Sequence, residues 1–164
     1  MEFSVHAMKP EDASVIVKWH YPEHYSFYDM TADEEDLREF LDFDHWKKGS
    51  KYAVYDGQDN LIGFFSFDDN NGIVDIGLGL RPDVTGNGLG TEFVQAGLSF
   101  AREKFRSNQF RLAVATFNQR AIKVYERVGF RPIRKFMNNT NGGAYEFLEM
   151  VADNEVGTDK DLPR

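Results

Sequence analysis

The segment Leu78-Gly79-Leu80-Arg81-Pro82-Asp83-Val84-Thr85-Gly86-Asn87-Gly88-Leu89-Gly90-Thr91 joins an alternating apolar stretch to a stretch with helical periodicity. The glycines at 86, 88 and 90 lack the side chains that would keep an anion away from the backbone N–H groups. Because a helix follows the turn, its dipole also favours negative charge there. The segment predicts a pyrophosphate site, and a glycine-rich turn without a ligand is the alternative.

Two known glycine motifs do not fit this segment. A P-loop needs Gly-Lys-Ser/Thr after its glycines, whereas this turn ends in Gly-Leu-Gly-Thr. A dinucleotide-binding fingerprint is followed about 20 residues later by an acidic strand end. Here the glycines come late in the chain and no matching acidic strand end follows.

Alternating and helical periodicities predict the elements around the turn. The predicted strands are Phe3–Met8, Lys51–Tyr55, Asn60–Phe67, Ile73–Leu80, Arg111–Thr116, Phe130–Phe136 and Ala144–Met150, and the predicted turns include residues 68–72 and 138–143. The predicted helices run from Pro10 to about Trp19, from an N-cap at Thr31 toward Gly49, along a stripe from Phe93 to Phe105, and from Ala121 to Val128 before Gly129. This order predicts one mixed α/β domain over residues 1–150 and a polar tail over residues 151–164.

Composition excludes several classes of function. The formal net charge of -8 argues against a nucleic-acid backbone as partner. The absence of cysteine excludes disulfides, thiolate zinc sites and a cysteine nucleophile. No signal peptide and no run of about 20 apolar residues is visible, so we expect a cytoplasmic protein without membrane contact.

A second motif, Asn118-Gln-Arg-Ala-Ile-Lys-Val-Tyr125-Glu-Arg-Val-Gly-Phe130, follows the glycine turn. The two motifs in this order resemble the GNAT superfamily of N-acetyltransferases, in particular the branch of ribosomal-protein alanine acetyltransferases. The similarity is strongest over residues 73–130. It implies a central, mostly antiparallel mixed sheet of about seven strands with four helices, in which the fourth and fifth strands splay apart. It also allows a homodimer.

The resemblance implies that acetyl-CoA is the co-substrate and that an amine, either a small molecule or a protein N-terminus, is the acceptor. The implied cofactor-binding residues are Leu78, Leu80, Arg81, Thr85, Gly86, Asn87, Gly88, Leu89, Gly90, Thr91 and Asn118. Tyr125 would protonate the departing thiolate, a role that a tyrosine hydroxyl can fill. Asn118 and Tyr125 are about two helical turns apart, so both can face one groove. Without the motif, Tyr125 would be read as a core residue and Asn118 as a helix N-cap.

Two positions depart from the family pattern. Thr85 stands where the family usually has Gln or Arg, so a positive charge is lost although the hydroxyl could still bond a phosphate. Ala113 stands where the nearer relatives carry a glutamate general base. Asp75 is one replacement, since partial burial would raise its pKa, and an ordinary solvated carboxylate is the alternative. His20, Glu23, His24 and bulk water are the others.

The segment from Trp19 to Asp29 corresponds to the wall of the acceptor pocket in the family. We expect His20, Tyr21, Glu23, His24, Tyr25 and Tyr28 to contact the acceptor, with aromatic faces available to a cationic amine. A lid over the hydrophobic core is the alternative. The spacing of His20, Glu23 and His24 matches no ligand motif, so no metal is expected.

The leading hypothesis is an acetyl-CoA-dependent N-acetyltransferase in which the amine attacks directly in a ternary complex. A non-catalytic acyl-CoA-binding sensor is the alternative that the changes at Thr85 and Ala113 favour. A protein-interaction domain without a cofactor is a third possibility. The sequence does not identify the acceptor amine.

Overall fold

The computed structural model describes residues 2–86 and 88–154, which form one sheet with helices on both faces. The strands are β1 Ser4–Ala7, β2 Lys51–Tyr55, β3 Leu61–Asn70, β4 Ile73–Leu80, β5 Gln109–Ala115, β6 Arg131–Thr140 and β7 Gly143–Asp153. The helices are α1 Pro10–Ile16, α2 Glu34–Leu41, α3 Gly90–Lys104 and α4 Gln119–Val128, with short 3-10 turns at Glu23–Tyr28, Met30–Ala32, Phe43–His45 and Pro82–Val84. The predicted mixed fold with seven strands and four helices is confirmed.

The sheet has the order β1-β2-β3-β4-β5-β7-β6, and every neighbouring pair is antiparallel except β4 and β5. These two parallel strands pair only at Ile73–Gln109, Val74–Phe110 and Asp75–Arg111. Beyond this point β4 continues to Leu80 and β5 to Ala115 without pairing to each other. The predicted splay of the fourth and fifth strands is therefore confirmed.

Each face of the sheet carries its own apolar cluster. On one face, α3 and α4 cover a cluster that includes Phe65, Phe93 and Phe110. The predicted stripe of α3 is confirmed, because Phe93, Val94, Gly97, Leu98 and Ala101 are buried. On the other face, α1 and α2 bury Ile16 and Phe40 against the sheet. The sheet therefore separates the two apolar clusters, except where β4 and β5 diverge and leave a gap between its faces.

The predicted start and end of the second helix are wrong. Thr31 lies in the 3-10 turn before the helix, and Asp33 is the N-cap, whose Oδ1 accepts from the N–H of Asp36 at 3.0 Å. A carboxylate caps a helix as well as a hydroxyl does, and Asp33 directly precedes the first helical residue, Glu34. The helix ends at Leu41, and a 3-10 turn separates it from Gly49.

Two hairpins are tighter than predicted. Asn71-Gly72 and Asn141-Gly142 both adopt positive φ angles, of 53° and 92° and of 52° and 77°. An Asn-Gly pair favours such two-residue turns, so the flanking strands continue up to them. As a result, β3 extends to Asn70 and β6 to Thr140, through residues that were predicted as turns.

The ends of two further elements also differ from the prediction. Helix α1 ends at Ile16, because the N–H groups of Lys18 and Trp19 bond three residues back rather than four. Strand β7 continues to Asp153 and buries Val151 and Ala152, so the predicted tail does not begin at Val151. The remainder of that tail, from residue 155 onward, lies outside the described residues. None of the helices in the described part of the chain has the length and apolar character needed to cross a bilayer.

Gly97 tests the packing between α3 and the sheet. A Cβ at this position would lie 2.6 Å from the buried ring of Phe65, whose own ring stacks on Phe93. We expect Gly97→Ala to lower the free energy of unfolding by about 1–3 kcal/mol through overpacking. Helix propensity alone would raise it by about 1 kcal/mol, so the sign decides which effect dominates.

Chemical denaturation of Gly97→Ala, with Ser99→Ala on the exposed side of the same helix as control, would measure this difference. The control should change stability by no more than a few tenths of a kcal/mol. A Gly97→Ala variant more stable than the parent protein would contradict the close packing described above.

Candidate active site

A cavity of about 600 Å³ opens where β4 and β5 diverge. Its walls come from the end of β4, the glycine turn, the first residues of α3, one side of α4 and the segment between α1 and α2. Of the predicted cofactor-binding residues, Leu78, Leu80, Thr85, Gly86, Gly88, Gly90, Thr91 and Asn118 line it. The structure thus brings both sequence motifs to one cavity of a size typical of ligand sites.

The end of β4 presents to this cavity a backbone edge that has no strand partner. The N–H of Arg81 donates to the carbonyl of Ile62 in the β3 segment at 2.7 Å. Successive residues of a strand direct their backbone groups to opposite sides, so those of Leu78 and Leu80 point into the gap toward β5. Arg81 differs from Leu78 and Leu80, because its N–H faces β3 and its guanidinium pairs with Asp83 at 2.6 Å.

The glycine turn has the backbone form that an anion site requires. Gly86 and Gly88 adopt φ angles of 76° and 77°, which other residues adopt only with strain. Leu89 is the N-cap of α3 and Gly90 its first helical residue, so the free N–H groups of the helix start here. Thr85 donates its hydroxyl to the carbonyl of Pro82 at 2.7 Å, which removes that donor from a bound phosphate. Asn87 lies outside the described residues.

Asn118 begins the opposite wall. Its Oδ1 accepts from the N–H of Ala121 at 3.2 Å and caps α4, while its Nδ2 donates to the hydroxyl of Tyr28 at 3.2 Å. At the other end of α4, Gly129 closes the helix in the left-handed conformation, as predicted. Both the capping role and a position in the cavity wall therefore apply to Asn118.

Tyr125 lines the cavity from α4. Its ring is half-buried and packs edge-on against Phe130, with 5.9 Å between ring centroids. Burial, and secondarily the nearby Tyr28, raise the pKa of the Tyr125 hydroxyl above its ordinary value. The hydroxyl therefore stays protonated through neutral pH, as a proton donor must.

Three basic side chains in the cavity wall were missed by the sequence reasoning. Arg120, Lys123 and Arg127 line the cavity from α4, and the Arg120 guanidinium lies 3.5 Å from the point where a Cβ on Gly86 would be. Their spacing along a helix beside the glycine turn was the available signal. Arg120 supplies positive charge close to the turn, where Thr85 lacks it, and Lys123 and Arg127 add positive charge to the same cavity wall.

The predicted acceptor-binding residues divide into two groups. Tyr21, Tyr25 and Tyr28 line the cavity, whereas His20, Glu23 and His24 do not. Tyr21 donates its hydroxyl to the carbonyl of Leu80 at 2.6 Å. The face of Tyr25 is already covered by the Arg120 guanidinium at 4.3 Å, so this ring is not free for a cationic amine.

The two histidines of this segment face elsewhere. The side chain of His20 is 75% exposed, and its Nδ1 lies 2.6 Å from Oδ2 of Asp29. His24 packs its ring against Tyr25 and Phe117. Among the described residues, no group of three or more side chains is arranged to hold a metal ion.

The expectation of a raised pKa at Asp75 is wrong. Burial alone would raise the pKa, but hydrogen bonds from Arg111 and Asn70 outweigh it and hold the pKa below its ordinary value. The carboxylate receives Nε and Nη2 of Arg111 at 2.6 and 2.9 Å and Nδ2 of Asn70 at 2.7 Å. Asp75 also lies where β4 and β5 are still paired, outside the cavity wall. A carboxylate so bonded is a poor proton acceptor.

The sequence and the fold both match known proteins. Mycothiol acetyltransferase of Actinosynnema mirum is 37% identical over 131 residues, which cover 74% of this chain and 41% of that protein. The enzyme of the same name from Saccharopolyspora erythraea is 41% identical over 105 residues, covering 62% and 33%. The chain thus spans less than half the length of these curated relatives.

A solved structure of spermidine N-acetyltransferase from Vibrio cholerae, in complex with CoA and spermine, has the same fold. It superposes with a TM-score of 0.75 at 20% identity and covers 92% of this chain and 95% of that one. The sequence model of the acetyltransferase (GNAT) domain matches residues 3–131. Since this match includes both motifs and every element from β1 through α4, the chain belongs to the GNAT acetyltransferase domain family.

Proposed function

We propose that this domain is an acetyl-CoA-dependent N-acetyltransferase that transfers acetyl to a primary amine. The observation that carries the proposal is that one cavity is lined by the glycine turn, by the edge of β4 that lacks a strand partner, and by Tyr125. Family membership and the named activities of the relatives support it.

The pyrophosphate of acetyl-CoA would bind at the backbone amides from Gly86 to Thr91. Positive φ angles at Gly86 and Gly88 and the start of α3 at Gly90 support this position. Arg120, Lys123 and Arg127 would add charge-assisted contacts to the phosphates. Asn118 would bound the cofactor from the other side of the groove.

The pantetheine arm would lie in the gap beside the backbone of Leu78 and Leu80. One free N–H on this edge can donate to the thioester carbonyl oxygen, which gains negative charge when the amine attacks. The carbonyl of Leu80 is held by the Tyr21 hydroxyl, so the N–H groups are the available partners. Arg81 is left out of this contact, since its N–H bonds to Ile62.

In the proposed reaction the amine nitrogen attacks the thioester carbon, a C–N bond forms and the C–S bond breaks. Tyr125 donates its proton to the departing sulfur, which leaves as the thiol of CoA. The amine gives up one proton and Tyr125 regains one, so the overall proton count is unchanged. Bulk water would carry that proton, because Asp75 is held in an ion pair and none of His20, Glu23 and His24 lines the cavity.

Several finer expectations stay predictions. They are a place in the ribosomal-protein alanine acetyltransferase branch, a cytoplasmic location and a homodimer. The comparisons above support the GNAT family and an amine acceptor in general, and spermine is bound by one structural neighbour.

Initial-rate kinetics test the activity and its order. With acetyl-CoA and a primary amine both varied, we expect free CoA to be released and double-reciprocal lines to intersect, because direct attack requires a ternary complex. Parallel lines would contradict direct attack. If acetyl-CoA raises the melting temperature but no amine releases CoA, the chain is an acyl-CoA sensor rather than an enzyme.

Replacing Tyr125 with Phe removes only the hydroxyl. We expect kcat to fall about 100-fold, since general acid catalysis contributes at least that much, while the Kd for acetyl-CoA changes less than about threefold. Because the pKa of Tyr125 is raised, the parent enzyme should keep its acid form up to pH about 10. Tyr145→Phe, on β7 outside the cavity, is the control. An equal loss in kcat and affinity would argue against the acid role.

Replacing Asp75 with Asn separates a structural role from a catalytic one. We expect kcat to change less than twofold and the free energy of unfolding to fall by about 1 kcal/mol, the scale of a partly exposed ion pair. Because folding lowers the pKa of Asp75, its stabilisation is present at neutral pH and is lost as pH falls below about 4.

Asp69→Asn, at an exposed position near the end of β3, is the matched control for stability. Chemical denaturation at pH 7 and steady-state rates would measure both effects. A large loss of kcat in Asp75→Asn with normal stability would restore Asp75 as the general base.

A further inference from the structure

The cavity has an apolar wall on the α1–α2 face of the sheet, formed by Ile16, Trp19, Met30 and Phe64. These side chains belong to the cluster under α1 and α2, whereas the glycine turn and the basic side chains lie with α3 and α4. The apolar wall is therefore on the side of the gap from which a second substrate would reach the thioester.

The apolar wall is open to a ligand. Ile16 is buried, but Trp19, Met30 and Phe64 are half-buried and turn part of their surface toward the cavity. Apolar surface left uncovered in a cavity that also holds convergent polar groups is typical of a binding site. The apolar wall is thus the part of the cluster under α1 and α2 that borders the cavity.

Phe64 places the apolar wall beside the part of β4 that borders the gap. Its ring lies against Gly79, where a Cβ would approach within 2.5 Å of the ring, and packs edge-on against Phe40 at 5.5 Å. Gly79 stands between Leu78 and Leu80, whose backbone groups face the gap. A group seated against Phe64 would therefore lie within a few bond lengths of the acetyl carbon.

Charge and volume narrow the acceptor further. The described lining residues include the cations Arg120, Lys123 and Arg127 and no carboxylate. These cations lie on the cofactor side of the gap, so a second ammonium group on the acceptor would lose hydration without an anionic side chain to replace it. An apolar cavity of about 150 Å³ can hold benzene, so 600 Å³ leaves room for one ring beside the cofactor arm.

Resting on the function proposed above, we propose that the acceptor is a small monoamine whose amino group is joined by one or two methylenes to an aromatic or branched apolar group. That group sits against the apolar wall, and the nitrogen reaches the thioester from the α1–α2 face. The chemistry is unchanged: the C–N bond forms, the C–S bond breaks, and the products are the amide and the free thiol of CoA.

A matched amine panel tests the acceptor class. With saturating acetyl-CoA at one pH, we expect kcat/KM for 2-phenylethylamine to exceed that for ethylamine by about 10- to 100-fold, the range expected from burying an aromatic ring. Spermidine should be no better than ethylamine. Spermidine, or a peptide with a free N-terminal alanine, used as well as 2-phenylethylamine would overturn the proposal.

Variants of the apolar wall test the location. We expect Trp19→Ala to lower kcat/KM for 2-phenylethylamine at least tenfold more than kcat/KM for ethylamine, with the Kd for acetyl-CoA within twofold of the parent value. Val15→Ala, at a 50% exposed position of α1, is the control and should change none of these values. If Trp19→Ala does not fold, Met30→Ala replaces it with the same expected direction. An equal loss for both amines would overturn the assignment of the wall.

The amine panel also distinguishes a wrong acceptor class from a wrong assignment of acetyltransferase activity. If CoA is released with spermidine in preference to 2-phenylethylamine, only the acceptor class is wrong. If no amine releases CoA although acetyl-CoA still raises the melting temperature, the acetyltransferase function fails and the acceptor class fails with it.

Discussion

The short parallel contact between β4 and β5 is the constraint on which the site depends. The strands pair only from Ile73 to Asp75 on one side and from Gln109 to Arg111 on the other, and the Asp75–Arg111 ion pair lies at the last paired position. Beyond it, the backbone edge of β4 has no strand partner on the β5 side. In a buried setting those N–H and C=O groups need partners from elsewhere. The fold therefore creates a backbone-lined slot, and the slot is where a linear, amide-containing ligand can pair as a strand would.

The segment from Tyr21 to Tyr28 connects the two sides of this slot. The Tyr21 hydroxyl bonds to Leu80 on β4, and the Tyr28 hydroxyl accepts from Asn118 at the start of α4. Phe27 adds contacts to Phe117 and Tyr145, which tie the same segment to the β5–β7 half of the sheet. Because both ends of the segment are anchored, the walls of the cavity are held at a defined separation. Such preorganisation lowers the entropy cost of binding a flexible ligand.

The sequence predicted elements whose signals are local and missed those set by tertiary contacts. The end of α4 at Gly129 and the buried stripe of α3 were predicted correctly, because a glycine C-cap and a helical period are visible in neighbouring residues. Asp75 looked like a candidate base since its partner Arg111 is 36 residues away and only the sheet register brings them together. Arg120 was not predicted as a site residue, because its position beside Gly86 depends on how α4 packs against the start of α3. The Asn-Gly turns were readable locally, and the polar residues around them obscured that signal.

The basic patch on α4 has a consequence for how ligands arrive. The chain carries a formal net charge of -8, yet Arg120, Lys123 and Arg127 gather on one wall of one cavity. An approaching polyanion is repelled by most of the surface and attracted at this opening, so the field orients it before contact. Phosphates would dock first and the acyl end would follow into the slot. The same field weakens as ionic strength rises, because screening acts within about 8–10 Å in ordinary buffers. The rate at which a polyanionic ligand finds this opening therefore depends on the salt concentration around the protein.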